Sequence, residues 1–151
     1  MMTRRQAREI AMHLSFESGV NPGAMKEILE NMFDREYFST LMTEDELYSQ
    51  YPDENQMKYI VILANGVDEH AAELDHYIEK YAKNWRVSRI SRVAVAIMRT
   101  AMFEVLYMPD VPNAAAISEA VEIAKKYEEK ETVSFINGIL GSFVKGEVDG
   151  Q

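Results

Sequence analysis

The sequence predicts an all-α fold. Apolar residues recur at i, i+3, i+4 and i+7 in one segment after another, and no stretch alternates with the two-residue period of a strand. Seven glycines and four prolines among 151 residues also fall well below average usage, which leaves few of the turns that a sandwich or barrel needs. This length suits one domain over 1–151 with a real core, since chains of this size bury roughly 70% of their unfolded surface.

The elements follow in order. Thr3-Arg4-Arg5-Gln6 has the spacing of a capping box, so a helix is expected over about 4–18 with Ala7, Ile10, Ala11 and Leu14 on its buried face. Gly19 and Asn21-Pro22-Gly23 stop it and turn the chain. Met25, Ile28, Leu29, Met32 and Phe33 mark a short second helix. Past Asp34 the periodicity blurs, and Thr43-Glu44-Asp45-Glu46 offers a second capping box for one or two turns. From Pro52-Asp53 a single stripe runs through Met57, Ile60, Val61, Ala64, Val67, Ala71, Leu74, Ile78 and Tyr81, which predicts one helix of about seven turns, bent at Asn65-Gly66.

After Asn84-Trp85 a helix over Ile90 to Leu106 turns Val93, Ile97, Ala101 and Val105 inward, and Pro109 and Pro112 close it. Ala114 to Tyr127 is the next helix. Thr132 is placed to cap the last one, whose face is Val133, Ile136, Leu140, Phe143 and Val144. About six or seven helices result, in two sub-bundles of about 1–83 and 84–151 that divide near Lys83 to Val87.

Composition narrows function. With no cysteine there are no disulfides, thiolate nucleophiles, cysteine-ligated zinc sites or iron–sulfur clusters. Glu73-Leu74-Asp75-His76 matches one Glu-x-x-His unit of a di-iron bundle, but such a site needs a second unit and two further glutamates, so this one reads as solvated helix surface. His70 and His76 lie about 240° apart around a helix and do not share a ligand face. His13 stands alone beside an apolar face. Gly138 and Gly141 follow no strand and precede no Lys-Ser/Thr, so they form no phosphate loop. No catalysis, cofactor or metal is expected. The N-terminus lacks the apolar run of a signal peptide and no membrane span is visible, which points to the cytoplasm.

A net charge of −9 argues against a generic nucleic-acid coat, so any RNA surface must be local. The first helix offers one. Arg4, Arg5 and Arg8 face a single Glu9 within residues 1–14, and Arg4 and Arg8 share a helical face. Cations at a helix start oppose its dipole, whereas phosphates there meet both guanidinium groups and free N–H donors. A solvated basic turn and an anion site both remain open on composition alone. The second basic stretch, Trp85-Arg86-Val87-Ser88-Arg89-Ile90-Ser91-Arg92, mixes an aromatic with cations as single-strand binders do, but a lone tryptophan after a long helix reads first as a core plug.

The order of these pieces resembles the NusB family. The matching residues are Arg4-Arg5-Gln6-Ala7-Arg8-Glu9 with Ala11 and Phe16, Asn84-Trp85 with Arg89-Ile90, Ile97 to Val105, Val111-Pro112, Ala116 to Tyr127, and Phe135-Ile136-Asn137-Gly138-Ile139-Leu140. The resemblance implies two perpendicular three-helix bundles and an RNA-binding transcription antitermination factor without catalysis. Its expected partners are box A RNA of ribosomal RNA leader transcripts, the small-subunit ribosomal protein NusE and the antitermination complex with RNA polymerase. Carried over by position, the RNA-facing residues are Arg4, Arg5, Arg8, Glu131 before the last helix, Phe135 and Asn137.

Departures from the family pattern stand at Glu131, where some relatives have Asp, and at Ser134, where a basic residue usually precedes the Phe. Ala94-Val95 replaces a common Asp-Arg pair on the helix that meets NusE, and reads as an exposed apolar strip that a second copy of the chain could cover. The alternative function is therefore an acidic helical interaction module of the same fold, homodimeric and without useful RNA affinity.

Overall fold

A computed structural model describes residues 1–149 of the chain. Eight α-helices occupy most of it, and no strand occurs among the described residues. The backbone packs as two units, Met1–Asp68 and a second from Glu69 on.

The first unit holds α1 (Arg4–Val20), α2 (Met25–Met32), α3 (Arg35–Leu41), a 3₁₀ turn (Glu46–Tyr48) and α4 (Glu54–Glu69). The capping box forms as the sequence predicts. The Thr3 hydroxyl accepts from the Gln6 N–H at 3.1 Å, and the Gln6 side chain accepts from the Thr3 N–H at 2.8 Å. Where the periodicity blurred, Asp34 caps α3 by accepting from the Tyr37 N–H at 2.9 Å. The turn after it is capped by Asp45, not by Thr43.

Short helices carry little stability of their own, and α3 is held by tertiary contact. Phe38 is buried with Phe33, Tyr48 and Tyr51 around it at ring separations of 5.1 to 6.1 Å. The Tyr51 hydroxyl donates to the Phe33 carbonyl at 2.7 Å, closing the cluster. Burial pushes the Tyr48 hydroxyl up to about 12, so it stays neutral.

The second unit holds α5 (Ala71–Ala82), a 3₁₀ turn (Val87–Arg89), α6 (Arg92–Tyr107), α7 (Asn113–Tyr127), α8 (Lys130–Val144) and a terminal π turn (Lys145–Asp149). The stripe expected to form one seven-turn helix is thus two helices broken at His70, whose φ of −104° and ψ of 14° leave the helical region. Nothing at Asp68-Glu69-His70 signals the break in sequence. Its imidazole lies 4.4 Å from the Tyr107 ring and 5.8 Å from Phe103, so contacts with α6 hold it there. The division between units consequently falls some fifteen residues before the expected one. Asn65-Gly66 lies inside α4.

Helix α6 packs against α5, α7 and α8. Ten of its sixteen residues are buried, from Ala94 to Glu104, so it lacks the single inward face read from Val93, Ile97, Ala101 and Val105. Ala94 and Val95 are among the buried ones, at 0% and 6% exposure. They form no exposed apolar strip. The Arg99 guanidinium clamps Asp75 of α5 through Nε at 2.7 Å and Nη2 at 2.6 Å.

Helix α8 begins at Lys130 after Glu129, two residues ahead of the expected Thr132 cap, because the Glu129 carbonyl already accepts from the Val133 N–H at 3.0 Å. At its far end Lys80 and Tyr81 of α5 both donate to Glu147, the lysine at 2.6 Å. Gly146 permits this, since a Cβ there would fall against the Tyr81 ring.

Candidate nucleic-acid interface

The residues expected to meet RNA occur in both units. In the first, α1 starts with Arg4 and Arg5 exposed and with no acidic residue in its first turn. The Arg4 guanidinium lies 4.0 Å from the centre of the Tyr59 ring, and that of Arg8 lies 5.6 Å from it. One α4 tyrosine thereby fixes the spacing of two cations one helical turn apart.

Arg8 departs from expectation. It is 5% exposed, in company with Glu9, although the sequence pattern set it apart from the Ala7, Ile10, Ala11 and Leu14 face. Helix α1 buries Ala7 through Met12 without a break, a wider arc than the usual apolar stripe, and Arg8 falls inside it. Its aliphatic stem is packing material, and Arg4 and Arg5 are the exposed cations of the turn.

In the second unit the loop between α5 and α6 makes a groove against the start of α8. Lys83 and Asn84 adopt left-handed backbone at φ 42° and 72°, conformations that L residues take at a cost, and they reverse the chain just before Trp85. Two hydrogen bonds hold the loop. The Val87 N–H donates to Glu79 Oε2 at 2.9 Å, and the Ser91 hydroxyl donates to Glu128 Oε1 at 2.6 Å. The resulting groove of about 370 Å³ is lined by Trp85, Arg89, Ile90, Glu131, Thr132 and Phe135. Trp85 is 53% exposed and meets Phe135 edge to face at 6.1 Å, so it plugs no core.

Of the expected α8 residues, the structure brings two together. Glu131 and Phe135, one turn apart, face the Trp85 groove, and Glu131 lies inside the first turn of the helix, not before it. Asn137 is elsewhere. It lines a second groove of about 460 Å³ with Ala114, Ile117, Val121 and Ser134. Two residues beyond Phe135 is about 200° around a helix, which is why one motif feeds two surfaces. Trp85 and Arg89, which the sequence assigns first to a core plug and a basic stretch, line this groove. The mixture of aromatic and cations at 85–92 carried the signal.

The histidine candidates settle into structural contacts. Glu73 accepts from the Tyr107 hydroxyl at 2.5 Å and lies 3.3 Å from His70 Nδ1, not His76. Its carboxylate pushes the Tyr107 hydroxyl up to about 12. Among the described residues no three His, Asp or Glu side chains gather as a metal site, and no helix is long and apolar enough to cross a membrane.

Helices throughout the described residues, two exposed arginines at the start of the first and a groove lined by Trp85, Arg89 and Phe135 in the second unit define an all-α protein with local basic surfaces. The chain belongs to the NusB family, whose pattern it matches over residues 5–145. It is 40% identical over 145 residues to the transcription antitermination protein NusB of Acetivibrio thermocellus, a match covering 95% of this chain and 90% of that protein. The crystal form of NusB from T. maritima superposes with a TM-score of 0.78 at 28% identity, covering 97% of this chain and 94% of that one. A structure of the antitermination factors NusB and NusE with double-stranded RNA shares the fold, with a TM-score of 0.74 at 18% identity over 96% of this chain and 98% of that one.

Proposed function

We propose that this chain is an RNA-binding transcription antitermination factor that takes box A RNA of ribosomal RNA leader transcripts together with NusE and acts within the RNA polymerase antitermination complex. Membership of the NusB family along nearly the whole chain carries the reading. In this reading the two units work as one domain, the protein acts in the cytoplasm, and it performs no chemical step. Arg4 and Arg5 are its first phosphate contacts, Arg8 positions them, and Glu131, Phe135 and Asn137 belong to its α8 surface.

The physical support is local. A chain of charge −9 repels RNA at long range, so binding must come from contact. Arg4 and Arg5 stand exposed at a helix start with no first-turn carboxylate, where phosphate oxygens gain from charge and dipole together. The ground for a homodimer was an apolar strip at Ala94-Val95, and both residues are buried.

The test is a titration of box A RNA with and without NusE at two salt concentrations, using wild type, Arg4→Ala and Arg5→Ala. Each truncation should cost on the order of 1 to 3 kcal/mol and lower the salt slope by about one, as removing one phosphate contact requires. Wild type that binds no RNA even with NusE present would refute the function. Binding that ignores both substitutions would move the site off α1.

A further inference from the structure

We propose that the groove where the ends of α1 and α2 meet the start of α3 docks a basic segment of a protein partner, which seats an aliphatic side chain in the groove and lays lysine or arginine side chains on its rim. The site is independent of the RNA-binding reading. It lies at the far end of α1 from Arg4, about 20 Å away by helical rise.

Charge is the first observation. Residues 17–54 hold ten acidic residues against only Lys26 and Arg35, a net of −8 in a chain of −9. Neither base neutralises the groove. Arg35 lies over the Tyr51 ring at 4.1 Å, and among the described residues neither it nor Lys26 is in an ion pair.

The helix ends deepen the negative field. Glu17 sits in the last turn of α1 and Glu30 in that of α2, and neither turn holds a basic residue. A helix C-terminus is already partly negative, so these carboxylates stand where they cost stability and where an arriving cation gains most. The ligand is a basic side chain and not a bare metal ion, because among the described residues no three acidic side chains converge as metal ligands.

The groove itself calls for an apolar anchor. It spans about 450 Å³, within the range of about 300 to 1,000 Å³ that takes a small ligand, and is lined by Glu17, Ile28, Glu30, Met32, Asp34 and Tyr37. Ile28 is 7% exposed, whereas Tyr37 stands 48% exposed. Tyr37 is turned out because Phe38, about 100° further round α3, is buried in the aromatic cage. Aliphatic and aromatic surface ringed by carboxylates is complementary to a segment that alternates apolar and basic residues.

The probe is a rhodamine-labelled peptide of three Lys-Leu-Arg repeats, titrated against the full-length protein by anisotropy. A peptide of three Lys-Ser-Arg repeats carries the same charge without the anchor. The leucine peptide should bind at least about fivefold more tightly than the serine one. Tyr37→Ser and the double variant Glu17→Gln with Glu30→Gln should each weaken it by about threefold or more. Asp110→Asn with Glu129→Gln removes the same charge from exposed positions of the second unit, and should stay within about twofold of wild type. The groove double variant should melt no lower than wild type, since it relieves two helix ends.

A serine peptide that binds as tightly as the leucine one, or equal losses in the two double variants, would reduce the effect to attraction by an acidic protein and overturn the site. Wild type that binds neither peptide would overturn it as well. Displacement of the leucine peptide by NusE would put NusE in the groove and leave no place for a further partner.

Discussion

Replacing Arg8 by alanine should damage the fold, whereas the same change at Arg4 or Arg5 should not. Arg8 is 5% exposed on α1 and its guanidinium lies over the Tyr59 ring at 5.6 Å. Truncation to Cβ removes two buried methylenes at about 0.8 kcal/mol each, and with them the ring contact, for a loss of about 2 kcal/mol. For a chain of this length that corresponds to a fall in Tm of about 4 to 8 °C. Arg4 and Arg5 are exposed and should shift Tm by no more than about 2 °C, since surface substitutions stay within about 0.5 kcal/mol. Calorimetric or circular-dichroism melts of the three variants measure this directly. An Arg8→Ala protein that melts with wild type would refute the reasoning, because it would mean that the buried stem contributes nothing. An Arg4→Ala protein that melts as low as Arg8→Ala would refute it from the other side.

Two further outcomes follow from the second unit. Asp75→Asn deprives Arg99, 15% exposed at its side chain, of its ion-pair partner, and should cost about 2 kcal/mol in urea unfolding; a midpoint unchanged from wild type would show that the clamp between α5 and α6 is replaceable by water. Hydrogen bonds from Lys80 and Tyr81 hold Glu147 below its usual value of 4.5. A lowered carboxylate contributes stability above its unfolded pKa and loses it as pH falls through its folded one, so hydrogen exchange in residues 145–149 should accelerate as pH drops below about 4.5 once the intrinsic rate is divided out. Glu147→Gln should abolish that acceleration; its persistence in the variant would assign it to another group.

How much was legible beforehand varies by element. The Thr3 capping box, the turn at Asn21-Pro22-Gly23 and the helical character of every long segment were all readable, because caps, turns and the 3.6-residue period are properties of neighbouring residues. So was the family, since its motifs are spaced along one chain. The arginine turn and the Glu131 and Phe135 pair were likewise visible as residue types. What their surroundings do to them was not. The break at His70 answers to Phe103 and Tyr107, more than thirty residues away, and α3 exists as a helix because Phe38 finds an aromatic cage. Arg8 is buried because α1 is covered over an arc broader than its apolar residues mark, and Trp85 is open because a left-handed loop carries it past the core it was expected to fill. By itself, then, the sequence determined where helices form and which family motifs they bear, since those depend on hydrogen bonds and periodicity within a few residues. Only the tertiary structure decided which side chains face water, because exposure depends on what the rest of the chain packs against each face, and a local pattern holds no record of it.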